Sequence, residues 1–222
     1  MRQPKQHYYF PSGDAARAKI IRASDEAQVD LALGVLSETD SRILIESAIP
    51  KMKRARVYAD MLGNRTFSNA RSCDEAYLNR NDSAVVWRVE RHLAKLCSMP
   101  DANGQRLQIL RYRTGQEHVA HLDAFDATKL DPSAWSLGGQ RIITAIVYLS
   151  DDFLGGATIF PRLSLSITPP KGSAVIFRNV DGLGEPDPLT LHGSAKVSKG
   201  EKWVAVRFFH ERSLIDRRHP PP

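Results

Sequence analysis

Residues 112–125 read YRTGQEHVAHLDAF, and this stretch contains His121 and Asp123, separated by a single residue. On a β-strand or at its fraying end, residues i and i+2 point to the same side, so both side chains can reach one ion. A third ligand candidate, His192, follows far downstream and is expected on a neighbouring strand. Two imidazoles and one carboxylate on one face of a metal are typical of mononuclear Fe(II) sites with open positions. The pattern therefore predicts a metal site formed by these three residues.

A lysine beyond His192 adds a second polar feature. Lys202 begins the strand-like run KWVAVRFF, in which alternation places Lys202, Val204 and Val206 on one face. A lysine on an inward face requires a buried anion, and the far carboxylate of a dicarboxylic acid would satisfy it. The opposite assignment, with Lys202 in solvent and Trp203 in the core, is the alternative.

Further blocks of sequence surround these residues. Residues 139–148 contain GQR followed by a threonine and a tyrosine, residues 155–161 read GGATIFP, and residues 192–203 read HGSAKVSKGEKW. Together with 112–125, which matches Y-x-x-G-Q-x-Y-x-x-H-x-D-x-F in all but one position, they resemble the prolyl 4-hydroxylase family of iron- and 2-oxoglutarate-dependent dioxygenases. The resemblance extends over residues 30–212, and four blocks in the same order make it specific.

The resemblance implies a fold and a chemistry. The fold would be a double-stranded β-helix, or jelly roll, whose mouth holds Fe(II). The co-substrates would be 2-oxoglutarate and O2, with ascorbate as reductant, and the substrate a prolyl residue in a peptide or protein. Because the carboxylate of Asp123 is intact, the resemblance favours hydroxylation over halogenation, in which a small residue replaces it.

The resemblance also assigns roles to single residues. Tyr112 and Thr144 match positions at which the family donates hydroxyl hydrogen bonds to 2-oxoglutarate, beside Lys202. His118 and Phe208 match substrate-side positions, but the family commonly has Tyr at the first and often Trp at the second. These departures leave open the same chemistry on another amino-acid residue or a small molecule. A non-catalytic peptide-binding jelly roll is a further alternative.

Composition bounds the class of protein. With 222 residues, 42% of them apolar and 25% charged, the chain fits one soluble β-rich domain and has no apolar run long enough to span a membrane. Two cysteines and no apparent secretory signal predict a reduced, cytoplasmic protein. The net charge is +6, but no aromatic residues interleave with the basic cluster at residues 51–56, so nucleic-acid binding is not favoured.

The chain divides into three predicted parts: an N-terminal arm or edge element at 1–28, the dioxygenase domain at 29–212, and a tail at 213–222. One helix is predicted from the capping-box-like Ser37 to Pro50, and a second from Asn81 or Asp82 towards Pro100. Residues 55–80 are turn-rich and contain two short strand candidates around Gly63 and Asn64, and we expect a mobile loop there. The resemblance implies that Asn64–Arg80 covers the substrate. Two helices followed by many short strands favour an α+β arrangement, in which N-terminal helices buttress the jelly roll. Strands are predicted at 107–112, 141–149, 157–160, 173–177 and 203–209.

Overall fold

The computed structural model of the protein describes residues 18–58, 65–126 and 138–214. These residues form mostly β-sheet, with two α-helices, α1 at Glu38–Ala48 and α2 at Ala84–Leu96. The strands are β1 Lys19–Ser24, β2 Val29–Leu33, β3 Lys53–Arg54, β4 Val57–Tyr58, β5 Arg65–Thr66, β6 Asp74–Leu78, β7 Leu107–Arg113, β8 His118–His121, β9 Arg141–Tyr148, β10 Phe153–Gly155, β11 Thr158–Phe160, β12 Leu165–Ile167, β13 Ala174–Arg178, β14 His192–Ser194 and β15 Val197–His210.

Antiparallel pairing arranges these strands in two main sheets. The large sheet has nine strands in the order β1-β2-β13-β9-β15-β7-β6-β3, with β10 paired to β15 outside this order. The small sheet has four strands in the order β12-β11-β14-β8, and β4 and β5 form a separate hairpin. The long strand β15 lies between β9 and β7, so it occupies the centre of the large sheet.

The two faces of the large sheet bury different groups. One face packs against the helices, and its buried cluster includes Leu44 of α1, Leu93 of α2 and Ile109 of β7. The other cluster joins residues of the large sheet, such as Val204, to Phe160 of the small sheet. The molecule is therefore layered, with the helices outside the large sheet and the small sheet on its other side.

The first helix begins where the sequence predicts. Ser37 is its N-cap, and its hydroxyl accepts a hydrogen bond of 3.0 Å from the backbone N–H of Asp40. For the second helix, the prediction of Asn81 or Asp82 as cap is wrong. Ser83 caps α2 by accepting from the N–H of Val86, because the carboxylate of Asp82 is already engaged with the N–H of Asn79.

Several elements differ from the prediction. Two strands precede α1, so the helices are not the N-terminal elements. Strand β1 lies at an edge of the large sheet, which agrees with the alternative of an edge element within residues 1–28. Strand β6 occupies part of the segment expected to be a loop, whereas residues 59–64 of that segment lie outside the described residues. Residues 1–17 of the arm and 215–222 of the tail also lie outside them. In the ranges described, neither helix has the length and apolar character required to cross a bilayer.

Candidate active site

The two histidines of the predicted triad lie on adjacent strands of the small sheet. His121 ends β8 and His192 begins β14, and the two residues face each other directly in the antiparallel register. Asp123 follows β8 after one intervening residue, and its side chain turns towards both imidazoles. The ligand-capable atoms of the three residues all lie within 4.8 Å of one another. The structure therefore brings the predicted triad together.

Both imidazoles are oriented in the same way. Nδ1 of His121 lies 3.0 Å from the carbonyl of Val119, and Nδ1 of His192 lies 3.0 Å from the carbonyl of Thr190. Since a carbonyl can only accept, each Nδ1 carries the proton and each Nε2 keeps its lone pair. A backbone hydrogen bond of this kind commonly fixes the tautomer of a metal-ligating histidine.

The distances at the centre of the site fit a metal ion. Nε2 of His121 lies 3.3 Å from Oδ1 of Asp123, and Nε2 of His192 lies 3.4 Å from Oδ2. Neighbouring ligands of an octahedral ion with bonds of about 2.1 Å are about 3 Å apart. Two neutral nitrogens facing one carboxylate thus form a donor set that suits a divalent ion such as Fe(II).

The protonation states support the same conclusion. Burial alone would raise the pKa of Asp123, but the neighbouring imidazoles of His192 and His121 outweigh it and hold this pKa below its usual range. Burial lowers the pKa of His192 to about 4, although Asp123 opposes this shift. At neutral pH the carboxylate is therefore ionised and the imidazole neutral, as metal ligation requires.

Thr144 occupies a different place from the one expected. Its hydroxyl donates to Oδ2 of Asp123 at 2.8 Å and accepts from Nδ2 of Asn179 at 3.0 Å. The side chain is fully buried in β9 and does not line the cavity beside the triad. Thr144 thus orients a candidate metal ligand, whereas the resemblance implied a contact with 2-oxoglutarate.

Lys202 points inward, as alternation along β15 predicts. Its side chain is almost fully buried, and Nζ donates to the carbonyl of Gly156 at 2.7 Å and to the hydroxyl of Ser194 at 2.9 Å. Across the described residues, no carboxylate forms an ion pair with it. Burial lowers the pKa of Lys202 to about 7. A buried amine with only neutral partners is a site prepared for an anion.

Two hydroxyl residues lie close to this lysine. Tyr112 stands opposite Lys202 in the register of β7 and β15, and its ring centroid is 5.2 Å from Nζ. Thr158 stands opposite Ser194 in the register of β11 and β14, and its hydroxyl bonds to that of Tyr148 at 2.7 Å. Sequence analysis missed Thr158 and Ser194, although both lie inside the quoted blocks, GGATIFP and HGSAKVSKGEKW.

A cavity of about 660 Å³ joins the triad to this lysine. Tyr112, Thr158, Ser194 and Lys202 line it together with the three ligand candidates. Because the triad stands on the small sheet and Lys202 on the large sheet, the cavity lies between the two sheets. It is large enough for a small dicarboxylate and part of a second molecule.

The expected substrate-side residues also line the cavity. The ring of His118 stacks on His121 with centroids 3.9 Å apart, and burial, with the neighbouring His121, lowers its pKa to about 2. Phe208 of β15 stands opposite Thr144 of β9, and the guanidinium of Arg141 lies 4.0 Å from the centre of the Phe208 ring. One face of Phe208 is thus covered by a cation.

Comparisons with known proteins agree with this geometry. Residues 107–210 match the family model described as the 2OG-Fe(II) oxygenase superfamily. The chain is 36% identical over 200 residues to probable prolyl 4-hydroxylase 6 of Arabidopsis thaliana, covering 82% of this chain and 68% of the relative. It is 33% identical over 196 residues to prolyl 4-hydroxylase subunit alpha-1 of Gallus gallus, covering 87% of this chain but only 38% of that subunit.

A solved structure shows the same fold. The viral collagen prolyl hydroxylase of Paramecium Bursaria Chlorella virus-1, solved as its 2OG complex, superposes with a TM-score of 0.65 at 24% identity. The superposition covers 83% of this chain and 96% of the viral chain. The sequence relatives, the family model and the assembled triad agree. The chain belongs to the prolyl 4-hydroxylase family of 2-oxoglutarate- and Fe(II)-dependent oxygenases.

Proposed function

We propose that this protein hydroxylates a prolyl residue in a peptide or protein, using Fe(II), 2-oxoglutarate and O2. The single observation that carries the proposal is the placement of Lys202 in the same cavity as the triad of His121, Asp123 and His192. A buried cation that faces a metal site matches a co-substrate whose one end chelates the metal while its other end carries a second carboxylate. A peptide-binding module without catalysis would have no use for either feature.

Iron held by the triad would supply the oxidative chemistry, in which decarboxylation of 2-oxoglutarate by O2 is coupled to insertion of one oxygen atom into a C–H bond. The protein's own residues would bind and orient the metal ion and the 2-oxoglutarate. His121, Asp123 and His192 would hold the ion, and the two backbone carbonyls that accept from the Nδ1 atoms leave each Nε2 free to bind it.

The distal carboxylate of 2-oxoglutarate would be held by Lys202. Its ammonium group already has two neutral acceptors, Gly156 and Ser194, which fix Nζ in place and leave its charge uncompensated. The hydroxyls of Tyr112 and Thr158, which line the same part of the cavity, would complete this binding site. Because this region is closed by the apolar side chains of both sheets, the ion pair would form away from bulk water and be correspondingly strong.

The substrate would enter from the side of His118 and Phe208. Both residues line the cavity, and Phe208 with the overlying Arg141 forms a flat wall against which a proline ring can pack. His118, stacked on a metal ligand, stands where the family commonly has Tyr. We therefore retain, as the second candidate, the same chemistry on another amino-acid residue or on a small molecule.

Two broader expectations belong to the same proposal. The two main sheets, with β8, β11 and β14 facing β7, β9 and β15, are proposed to be the walls of a double-stranded β-helix. Cys73 and Cys97 are both buried, free thiols, which supports a reducing, cytoplasmic setting.

Mass spectrometry of a peptide panel tests the function. Proline-containing peptides, and matched peptides with alanine in place of proline, are incubated with the enzyme, Fe(II), 2-oxoglutarate and ascorbate. We expect a gain of one oxygen on proline and an equal yield of succinate. Omission of ascorbate tests its predicted role as reductant. Peptidyl-proline hydroxylation would be contradicted if the peptides did not stimulate succinate release and if no peptide gained an oxygen atom.

A further inference from the structure

The cavity is elongated, and its two ends differ. Alternate residues of β7 and of the segment preceding it line one wall, from Tyr112 through Gln108 to Arg106. Alternate residues of β15 line it beside them, from Lys202 to Phe208. Six residues of a strand span about 20 Å, so Arg106 stands far from the lysine end.

The co-substrate cannot account for the Arg106 end. On ordinary C–C bond lengths, the two carboxyl carbons of 2-oxoglutarate are only about 5 Å apart. A molecule that reaches from the triad to Lys202 therefore leaves the opposite end of the cavity vacant. Whatever binds at that end belongs to the second substrate.

Arg106 is held in position by neutral groups. Its guanidinium lies 5.3 Å from the centre of the Tyr77 ring, and Nη1 donates to Oδ1 of Asn79 at 3.0 Å. The side chain is exposed, and no carboxylate among the described residues forms an ion pair with it. A guanidinium that is positioned by a ring and an amide keeps its remaining N–H donors for a planar acceptor such as a carboxylate.

The surrounding charges have the same sign. Arg56, Arg71 and Arg141 also line the cavity, while the one carboxylate among its described lining residues is Asp123, at the triad. Glu75 lies nearby but is buried, and it accepts from Gln108 at 2.6 Å and lies 3.5 Å from Nη2 of Arg71. Its charge is thus matched by Arg71 inside the protein. Apart from Asp123 at the triad, no carboxylate among the described lining residues competes with a ligand for Arg106.

We infer that this end of the cavity is a subsite for an acidic residue of the substrate, with Arg106 as the group that binds its carboxylate. The inference rests on the proposed function, because it identifies an acidic peptide as the class of substrate. Specificity would then depend on an acidic side chain at a fixed distance from the hydroxylated proline.

Matched peptides test the inference. One Glu is moved through each position on either side of a single proline, and each peptide is paired with the same sequence carrying Gln. At one or two adjacent positions, we expect kcat/KM for the Glu peptide to exceed that for the Gln peptide about tenfold, with the difference mainly in KM. Raising the ionic strength should reduce the advantage.

Two variants place the effect at Arg106. In Arg106→Gln the ratio between Glu and Gln peptides should fall to about one, and in Arg106→Glu the preference should change to a peptide with Lys at that position. Arg42→Gln is the matched control, because it removes one positive charge from an exposed position on α1, outside the cavity. In this control the preference for Glu should persist.

Binding separates failure of the inference from failure of the proposed function. Fluorescently labelled Glu and Gln peptides are titrated without O2, in the presence of Fe(II) and 2-oxoglutarate, so that they bind but are not oxidised. A preference for Glu that disappears in Arg106→Gln, without turnover under O2, would support the subsite and contradict prolyl hydroxylation. Equal binding and turnover of both peptides would overturn the inference. The inference would also be overturned if a single-stranded oligonucleotide bound more tightly than the Glu peptide, with a steep salt dependence, and if Arg106→Gln abolished that binding. Nucleic acid would then be the ligand.

Discussion

The hydroxyl of Thr144 donates a hydrogen bond of 2.8 Å to the carboxylate of Asp123, which joins the large sheet to the metal site on the small sheet. Removing it in Thr144→Val leaves one oxygen of Asp123 without this donor and frees its orientation. Loss of a partner of this kind typically weakens metal affinity 10- to 100-fold. We expect that loss in an anaerobic Fe(II) titration, with little change in KM for 2-oxoglutarate at saturating iron.

Thr158→Val provides the contrasting variant. Thr158 lines the cavity near Lys202 and forms its hydrogen bonds with Tyr148 and not with Asp123, so its loss should raise KM for 2-oxoglutarate and leave Fe(II) affinity almost unchanged. If Thr144→Val raised KM for 2-oxoglutarate at saturating iron, Thr144 would contact the co-substrate after all.

Replacing Lys202 should separate stability from function. In the folded protein without co-substrate, burial lowers the pKa of Lys202 to about 7, so the charged form is disfavoured there. At pH 7, Lys202→Met should therefore increase the free energy of unfolding by roughly 1–4 kcal/mol. The same variant should lose measurable binding of 2-oxoglutarate. Urea denaturation and calorimetric titration measure the two quantities, and a destabilised variant that still bound 2-oxoglutarate would contradict this role.

The affinity for 2-oxoglutarate should depend on pH. The charged form of Lys202 binds the carboxylate, and burial sets its pKa near 7 in the free enzyme. Below this pH the lysine is already charged; above it, binding must also supply a proton, so Kd should rise about tenfold per pH unit. Titrations between pH 7 and pH 9 measure this slope. Pyruvate, which lacks the distal carboxylate, is the control and should show no such slope. A flat profile for 2-oxoglutarate would refute the assignment.

A buried ion-pair network should stabilise the fold apart from the site. Arg207 is fully buried, and its guanidinium lies 3.7 Å from the carboxylate of Glu90 and 3.0 Å from that of Asp101. Removing one partner leaves a poorly compensated buried charge, so Glu90→Ala should lower the free energy of unfolding by about 3 kcal/mol. Glu46→Ala, which breaks an exposed pair with Arg42 on α1, is the control and should cost less than about 0.5 kcal/mol. Urea denaturation of both variants tests the difference; equal effects would contradict it.

The sequence predicted the parts of the site that follow from alternation. Lys202 lies inward because its strand places every second residue on one face, and the spacing of His121 and Asp123 has the same basis. The prediction that His121 lies on a strand or at its end, with His192 on a neighbouring strand, is confirmed by β8 and β14. The bounds of these two strands could not be predicted, because HVAH and HGS are short and have no apolar period. The hydrogen bond from Thr144 to Asp123 could not be predicted, because matching a motif gives no direction for a side chain in the neighbouring strand. The cap at Ser83 was missed because three adjacent polar residues could each serve, and only the contact of Asp82 with Asn79 decides between them.

Anomalous diffraction at the iron edge tests the central claim most directly. Crystals are grown without O2 in the presence of Fe(II) and 2-oxoglutarate. We expect one strong peak within bonding distance of Nε2 of His121, Nε2 of His192 and a carboxylate oxygen of Asp123. Iron bound elsewhere, or an iron-loaded protein with no peak between these three side chains, would contradict it.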